Sequence, residues 1–236
     1  MKNKKLINYI TKVAIFSALS TVLYVWVKFP LPFLFPSFLD IQFSNLPAIL
    51  AGLALGPLGG ALVVIIRTLG KLAISGSGTM YVGELADLLI GLATVLTTSF
   101  IYKFNRTKKG GIIALIAGTI VWIVSAVLMN WLFIIPAYIK LMFDGSVMPL
   151  IGMCQSVLPN MNQDNYMAIY IFGASLPFNA LLATTVGVIT FFVYKRISII
   201  FKKDFIGKHA IPVKIVEPVN IIEEPKEGEN DENNNC

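Results

Sequence analysis

The chain predicts an all-α integral membrane protein with six transmembrane helices and both termini in the cytoplasm, and three observations carry that reading. Of its 236 residues, 56% are hydrophobic and only 14% charged, too little polar surface to coat a soluble globule of this length. The apolar residues fall into runs close to the roughly 20 needed to cross a hydrocarbon core of about 30 Å, separated by proline, glycine and polar punctuation. The cations are one-sided. Lys2, Lys4, Lys5 and Lys12, then Lys103, Arg106, Lys108 and Lys109, then Lys195, Arg196, Lys202 and Lys203 all fall on one face of a six-span arrangement, which the positive-inside rule makes the cytoplasmic face.

The first helix is expected over Leu6–Lys28. Its basic leader and apolar run resemble a cleavable signal, but aromatic and proline residues (FPLPFLFP) follow instead of a small-x-small cleavage site, so it is read as retained. The stretch Phe29–Asp40 then forms a loop at the membrane interface. Helix two is short, Ile41–Leu55, broken by Gly56-Pro57 and Gly59-Gly60, since proline lacks an N–H and glycine favours turns. Helix three continues to Ile74, and Ser75-Gly76-Ser77-Gly78 ends it. Helix four is expected over Tyr81–Tyr102, helix five over Gly111–Tyr138 and helix six over Met167–Tyr194, with a long loop, Lys140–Tyr166, between the last two. These elements make a membrane domain of residues 1–203. Residues 204–236, ending EEPKEGENDENNNC, read as a disordered acidic cytoplasmic tail.

Phe35–Gly60, FPSFLDIQFSNLPAILAGLALGPLGG, places prolines, glycines, Asp40, Gln42 and Asn45 where a membrane chain could stay apolar. Irregular backbone at membrane depth survives only where protein or a water-filled cavity satisfies it, so this segment is expected to line a solute pocket. An enzyme is excluded by inventory. The single histidine, His209, lies beyond the last span, and no H-E-x-x-H, Cys/His cluster, nucleophile elbow or Walker A run is present. Cys154 and Cys236 predict neither a disulfide framework nor a metal site. No cofactor and no nucleic acid is implied; membrane lipid is the surrounding solvent.

Ionised groups at mid-bilayer cost about 2.5–3.5 kcal/mol on insertion scales, so those that persist carry information. Glu84 and Asp87, in GELADLL, sit three residues apart on one helical face. Either they pair with Arg67 or Lys71 of helix three, or Glu84 lines the pocket, or both. Asn130 and Asn179 lie on the outward halves of helices five and six. A carboxamide offers two donors and an acceptor, matching the edge of a heteroaromatic ring, although each could equally bond a neighbouring helix. Trp131, Phe133, Tyr138 and Phe178 could add apolar or stacking surface. Ala14 and Ala18 form a small-xxx-small strip on helix one, with Ser17 beside it, which lets another helix approach closely. Since the chain has no means of hydrolysing ATP, active transport would need an ion gradient or another subunit.

Over about Lys12–Arg196 the chain resembles the substrate-binding S components of energy-coupling factor (ECF) transporters, and among them the riboflavin-specific RibU group. The resemblance rests on the order and spacing of PSFLDIQFSNLPAILAGLALGPLGG, GELADLLIG, MNWLFIIPAY and PFNALL. It implies a plasma-membrane protein that binds riboflavin on its extracellular side and works with a transmembrane coupling subunit and two cytoplasmic ATPases. It also implies a pocket built by Leu39, Asp40, Glu84, Asn130 and Asn179, and a coupling-subunit contact at Ala14 and Ala18. Two positions depart from the family pattern. Leu182 stands where a lysine is frequent and Asp87 where an asparagine is usual, which leaves FMN or another vitamin as alternative solutes. A stand-alone proton-coupled carrier using Glu84 and Asp87 is the alternative of a different class.

Overall fold

A computed structural model describes residues 2–201 of the chain; the expected tail at 204–236 and His209 lie outside the described residues. Helix α1 covers Lys2–Val25. The interfacial loop that follows is not wholly irregular. Its ends pair as a two-stranded antiparallel ribbon, β1 (Lys28–Pro30) with β2 (Asp40–Gln42), in the register Lys28↔Gln42 and Pro30↔Asp40. Proline fixes φ and donates no hydrogen bond, so Pro30, Pro32 and Pro36 keep this segment out of a helix. Ile41 is therefore part of a strand, and α2 begins at Asn45 and ends at Leu55, not at the expected Ile41.

Gly56, at φ 90, makes the break, and Pro57 opens α3 (Pro57–Ser75) at its first position, where a missing N–H costs nothing. Gly59 and Gly60 lie inside α3, contrary to their expected role as breakers. Their lack of a side chain serves packing: a β-carbon on Gly60 would lie 2.8 Å from Gly52 Cα and closer still to Val95 Cγ1. Helix α4 covers Val82–Phe104. Helix α5 (Lys108–Met129) is capped by Thr107, whose hydroxyl accepts from Gly110 N at 2.9 Å.

The last two spans each contain a π-helical turn that periodicity does not predict. Asn130–Ile134 joins α5 to α6 (Ile135–Met142), and Ile171–Ser175 joins α8 (Tyr166–Tyr170) to α9 (Leu176–Phe201). Both turns have the same sequence logic, NWLFI-I-P and IFGAS-L-P, with a proline two residues beyond the turn. A proline ring clashes with the carbonyl four residues back. Widening the preceding turn relieves that clash, and the ladder then runs from Ile135 N to Asn130 O and from Leu176 N to Ile171 O. The expected loop between the last spans also contains a helix, α7 (Met148–Cys154).

Among the described residues, five helical segments are long and apolar enough to cross a membrane: Asn3–Val25, Pro57–Ser75, Val82–Phe104, Lys108–Met142 and Tyr166–Tyr194. The sixth expected span, α2, has 11 residues, about 16 Å of helix. Helices α1 and α3 run parallel, since a β-carbon on Gly59 would lie 3.1 Å from Tyr9 Oη and one on Gly70 3.0 Å from Thr21 Cγ2. The segment between them therefore travels back. Helices α3 and α4 run antiparallel, from Gly60 beside Val95 to Lys71 beside Glu84. The Tyr102 and Tyr194 hydroxyls meet at 2.5 Å, bringing the end of α4 to the end of α9. Ala48, Val63, Val64, Val95, Ala183 and Val186 centre the larger core; Ile135, Leu150, Cys154, Tyr170 and Ile171 centre a smaller one beneath α7.

Candidate functional site

The two π turns place the asparagines. Each carboxamide is fixed in the same way: its amide donates to the carbonyl four residues back, and its oxygen accepts from an aromatic group on the other span. Asn130 Nδ2 donates to Ala126 O at 2.9 Å and Oδ1 accepts from Tyr170 Oη at 3.3 Å. Asn179 Nδ2 donates to Ser175 O at 2.8 Å and Oδ1 accepts from Trp122 Nε1 at 3.3 Å. Bonding between neighbouring helices is thus realised at both residues. It leaves each with one further N–H and a second oxygen lone pair. Asn130 is buried and Asn179 half-buried.

The loop between α1 and α2 closes over this seam through aromatic contacts. Phe38 stacks on Tyr170 with ring centroids 6.1 Å apart and 21° between planes, and Phe35 meets Phe178 edge-on at 5.3 Å. Leu39 packs against both cores. Asp40, half-buried on β2, pairs with Lys28 at 3.4 Å across the ribbon, so Lys28 answers a carboxylate of its own loop. Trp122, in the middle of α5, does what the flanking Trp131 does not, for Trp131 is 48% exposed and points outward. A small space of ≈ 10 Å³ lies against Trp122, Thr94, Thr98 and Ala183, room for a water molecule.

The charged groups form a second, adjoining constellation. Lys71 Nζ bonds Glu84 Oε1 and donates to Gly76 O at 2.9 Å, while Ser77 and Thr79 each donate to Glu84 Oε2 at 2.8 Å. Glu84 is buried, and its carboxylate is occupied by these three side chains. A β-carbon on Gly83 would lie 3.2 Å from Tyr138 Oη, so α4 and α6 close tightly around this group. Asp87 takes Arg67: Nη2 donates to Oδ2 at 2.8 Å. Both carboxylates therefore have a cation of α3, as pairing predicts. Glu84 sits with α3 and α4, apart from the contacts that hold Asn130 and Asn179.

Ala14 and Ala18 are exposed on α1, in line with exposed Ile15, Leu19 and Val22. Leu182, the position that departs from the lysine pattern, is buried in the larger core. Cys154 is buried and free, and desolvation pushes its thiol up to about 11. The residues that spacing alone did not single out are Tyr170, Trp122, Phe35 and Phe38. The one signal for Trp122 was its place eight residues before Asn130 on the same helix.

Comparison with known proteins places this arrangement. The profile of the ECF transporter substrate-specific component matches residues 8–197. The riboflavin transporter RibU of Staphylococcus aureus is 29% identical over 202 residues, 86% of this chain and 94% of that protein. The riboflavin transporter FmnP of Bacillus subtilis is 35% identical over 132 residues, 55% of this chain and 69% of that protein. A solved S component of a bacterial ECF transporter superposes with a TM-score of 0.60 at 29% identity, covering 86% of this chain and 99% of that one.

Proposed function

We propose that this chain, which belongs to the ECF transporter substrate-specific component family, captures riboflavin on the outer side of the plasma membrane for uptake driven by partner ATPases. Membership of that family makes it a multi-pass transporter component and not an enzyme. The observation that carries the finer reading is the matched pair of carboxamides. Asn130, in the first π turn, and Asn179, on α9 one turn beyond the second, lie on the last two spans under an aromatic loop, each with a donor and an acceptor to spare for a flat heterocycle. Leu39 and Asp40 form the rim, and Glu84 bounds the neighbouring polar group. RibU and FmnP, the relatives above, are riboflavin transporters. The test is to purify the chain and titrate riboflavin by quenching of its fluorescence; absence of binding at micromolar ligand rejects riboflavin, and the same titration with FMN decides between the two.

Orientation follows from cation placement joined to helix direction. Parallel α1 and α3 require the intervening chain to return across the membrane. The strand Asp40–Gln42, at about 3.3 Å per residue, and the turn at 43–44 that follows it add to the roughly 16 Å of α2 to give a passage close to the hydrocarbon thickness. Both termini and the basic 103–109 segment then lie in the cytoplasm. Exposed Ala14 and Ala18 offer α1 to a transmembrane coupling subunit, which links the chain to two cytoplasmic ATPases. The proton-carrier alternative would require Glu84 and Asp87 to part from Lys71 and Arg67 before either could carry a proton. Labelling single cysteines placed in the 105–107 and 76–81 loops with an impermeant reagent on whole cells tests the orientation.

A further inference from the structure

Arg67 has 0% exposure in the middle of a transmembrane helix, a costly place for a guanidinium, and its contacts reach beyond its own ion pair. Nη1 donates to Ser44 Oγ at 2.6 Å and Nη2 to Asp87 Oδ2 at 2.8 Å, and the group lies over the Tyr24 ring at 5.5 Å. Asp87 Oδ1 in turn accepts from Gln42 Nε2 at 3.3 Å, Ser44 Oγ donates to Gln42 Oε1 at 3.2 Å, and Ser20 donates to Ser44 O at 2.5 Å. Every one of these bonds ends on Gln42 or Ser44 or on the group that holds them. Those two residues are the last of β2 and the residue before α2, two and four positions after Asp40. A β-carbon on Gly91 would lie 2.8 Å from Arg67 Nη2, so a glycine on α4 makes the room the guanidinium occupies.

We propose that Arg67 is a positioning residue for the substrate site: through Ser44 and the Asp87–Gln42 pair it fixes the inner end of the first outer loop, and so sets where Leu39 and Asp40 stand against the carboxamides. The inference rests on the riboflavin-binding reading for its functional half and on the hydrogen bonds alone for its structural half. A planar fork suits this task, since one guanidinium can hold two acceptors at a fixed angle and an ammonium cannot. The loop's aromatic contacts then have a fixed pivot, and the ligand's escape is controlled by release of the Phe35 and Phe38 contacts and not by wandering of the whole segment.

The experiment reads loop mobility and ligand release together. A spin label is placed at exposed Phe33 (F33C) in a Cys236→Ser background, where the remaining Cys154 is buried. The label's mobility and the riboflavin dissociation rate are measured in the parent, in Ser44→Ala, and in the charge-free pair Arg67→Met with Asp87→Leu. Removing both charges together avoids leaving one unpaired. The expected result is a more mobile label and dissociation faster by about ten-fold in a pair variant that elutes as the parent does, the change falling on the off-rate. Unchanged mobility and a dissociation rate within about two-fold of the parent overturn the proposal and leave Arg67 as packing. Should the pair variant fail to fold, Ser44→Ala decides by the same two readouts. Should the parent bind no riboflavin, the functional reading fails, while the label still decides whether Arg67 holds the loop.

Discussion

Trp122 and Asn179 hold each other across the last two spans, the indole Nε1 donating to Asn179 Oδ1 at 3.3 Å. Asn130 and Tyr170 repeat the relationship in the opposite direction, with the asparagine on the earlier span. Replacing Asn179 by Ala removes a carboxamide of the proposed riboflavin site and strands the indole N–H. Loss of one buried polar partner is worth about 1–3 kcal/mol, so we expect riboflavin affinity to fall by roughly five- to 150-fold. Asn130→Ala should behave alike, and Leu182→Ala, a core change, should lower stability with a smaller effect on affinity. Isothermal titration with each variant checks this; asparagine variants that bind as the parent does would remove both from the site.

The Lys71–Glu84 pair joins a half-buried ammonium to a buried carboxylate, with side-chain exposures of 15% and 5%. Breaking such a pair by removing one member leaves an uncompensated charge and costs about 3–5 kcal/mol. Lys71→Ala is therefore expected to lower the melting temperature sharply. Lys71→Met with Glu84→Gln keeps the hydroxyl contacts of Ser77 and Thr79 and leaves no orphaned charge, so it should recover most of the loss. Circular dichroism in detergent reads both; equal losses in the single and double variants would show that the pair is not what holds this region.

Glycine positions give a contrast that needs no ligand. Gly60 faces Gly52 Cα and Val95 at distances no real β-carbon tolerates, so Gly60→Ala must push α3 away from α2 and α4. Overpacking of this kind costs about 1–3 kcal/mol. At Gly152, within α7, an added methyl would meet nothing within 4 Å, and φ is not positive. There Gly152→Ala should stabilise by about 0.4–1 kcal/mol through the unfolded chain. Thermal melts of the two variants should move in opposite directions.

Much of this was legible from composition and punctuation. The Gly56-Pro57 break, the SGSG turn and the pairing of Glu84 and Asp87 with α3 cations each follow from a local rule, because burying a charge or breaking a helix leaves few options. The π turns were not legible by period, since a single widened turn changes the register by one residue only. Their cause, a proline two residues beyond each, is visible once the pair is compared. The β1–β2 ribbon escaped because three residues per strand give no alternation to read. Gly59 and Gly60 were misread because glycine at a turn and glycine at a close helix contact look identical in one dimension. Trp122 escaped because choosing between it and Trp131 needs the helix's rotation, which an all-apolar segment does not reveal.

Cys154 supplies a prediction with a definite sign. It lies at the end of α7, outside the spanning segments, buried against Ile151 and Tyr170 in the smaller core. Desolvation disfavours the thiolate and raises the thiol from 9.0 to about 11. A group whose acidity is weakened by folding adds stability below its unfolded value, and loses that contribution as pH rises toward the folded one. Between about pH 9 and 11 the protein should therefore become easier to unfold, and Cys154→Ala should flatten that slope while leaving a small cavity cost. Because the thiolate is the reactive species, a maleimide at pH 8 should leave Cys154 untouched in the folded Cys236→Ser protein and modify it on unfolding. Mass spectrometry of the α7 peptide gives the answer, and rapid labelling under native conditions would mean that α7 opens far more readily than its packing implies.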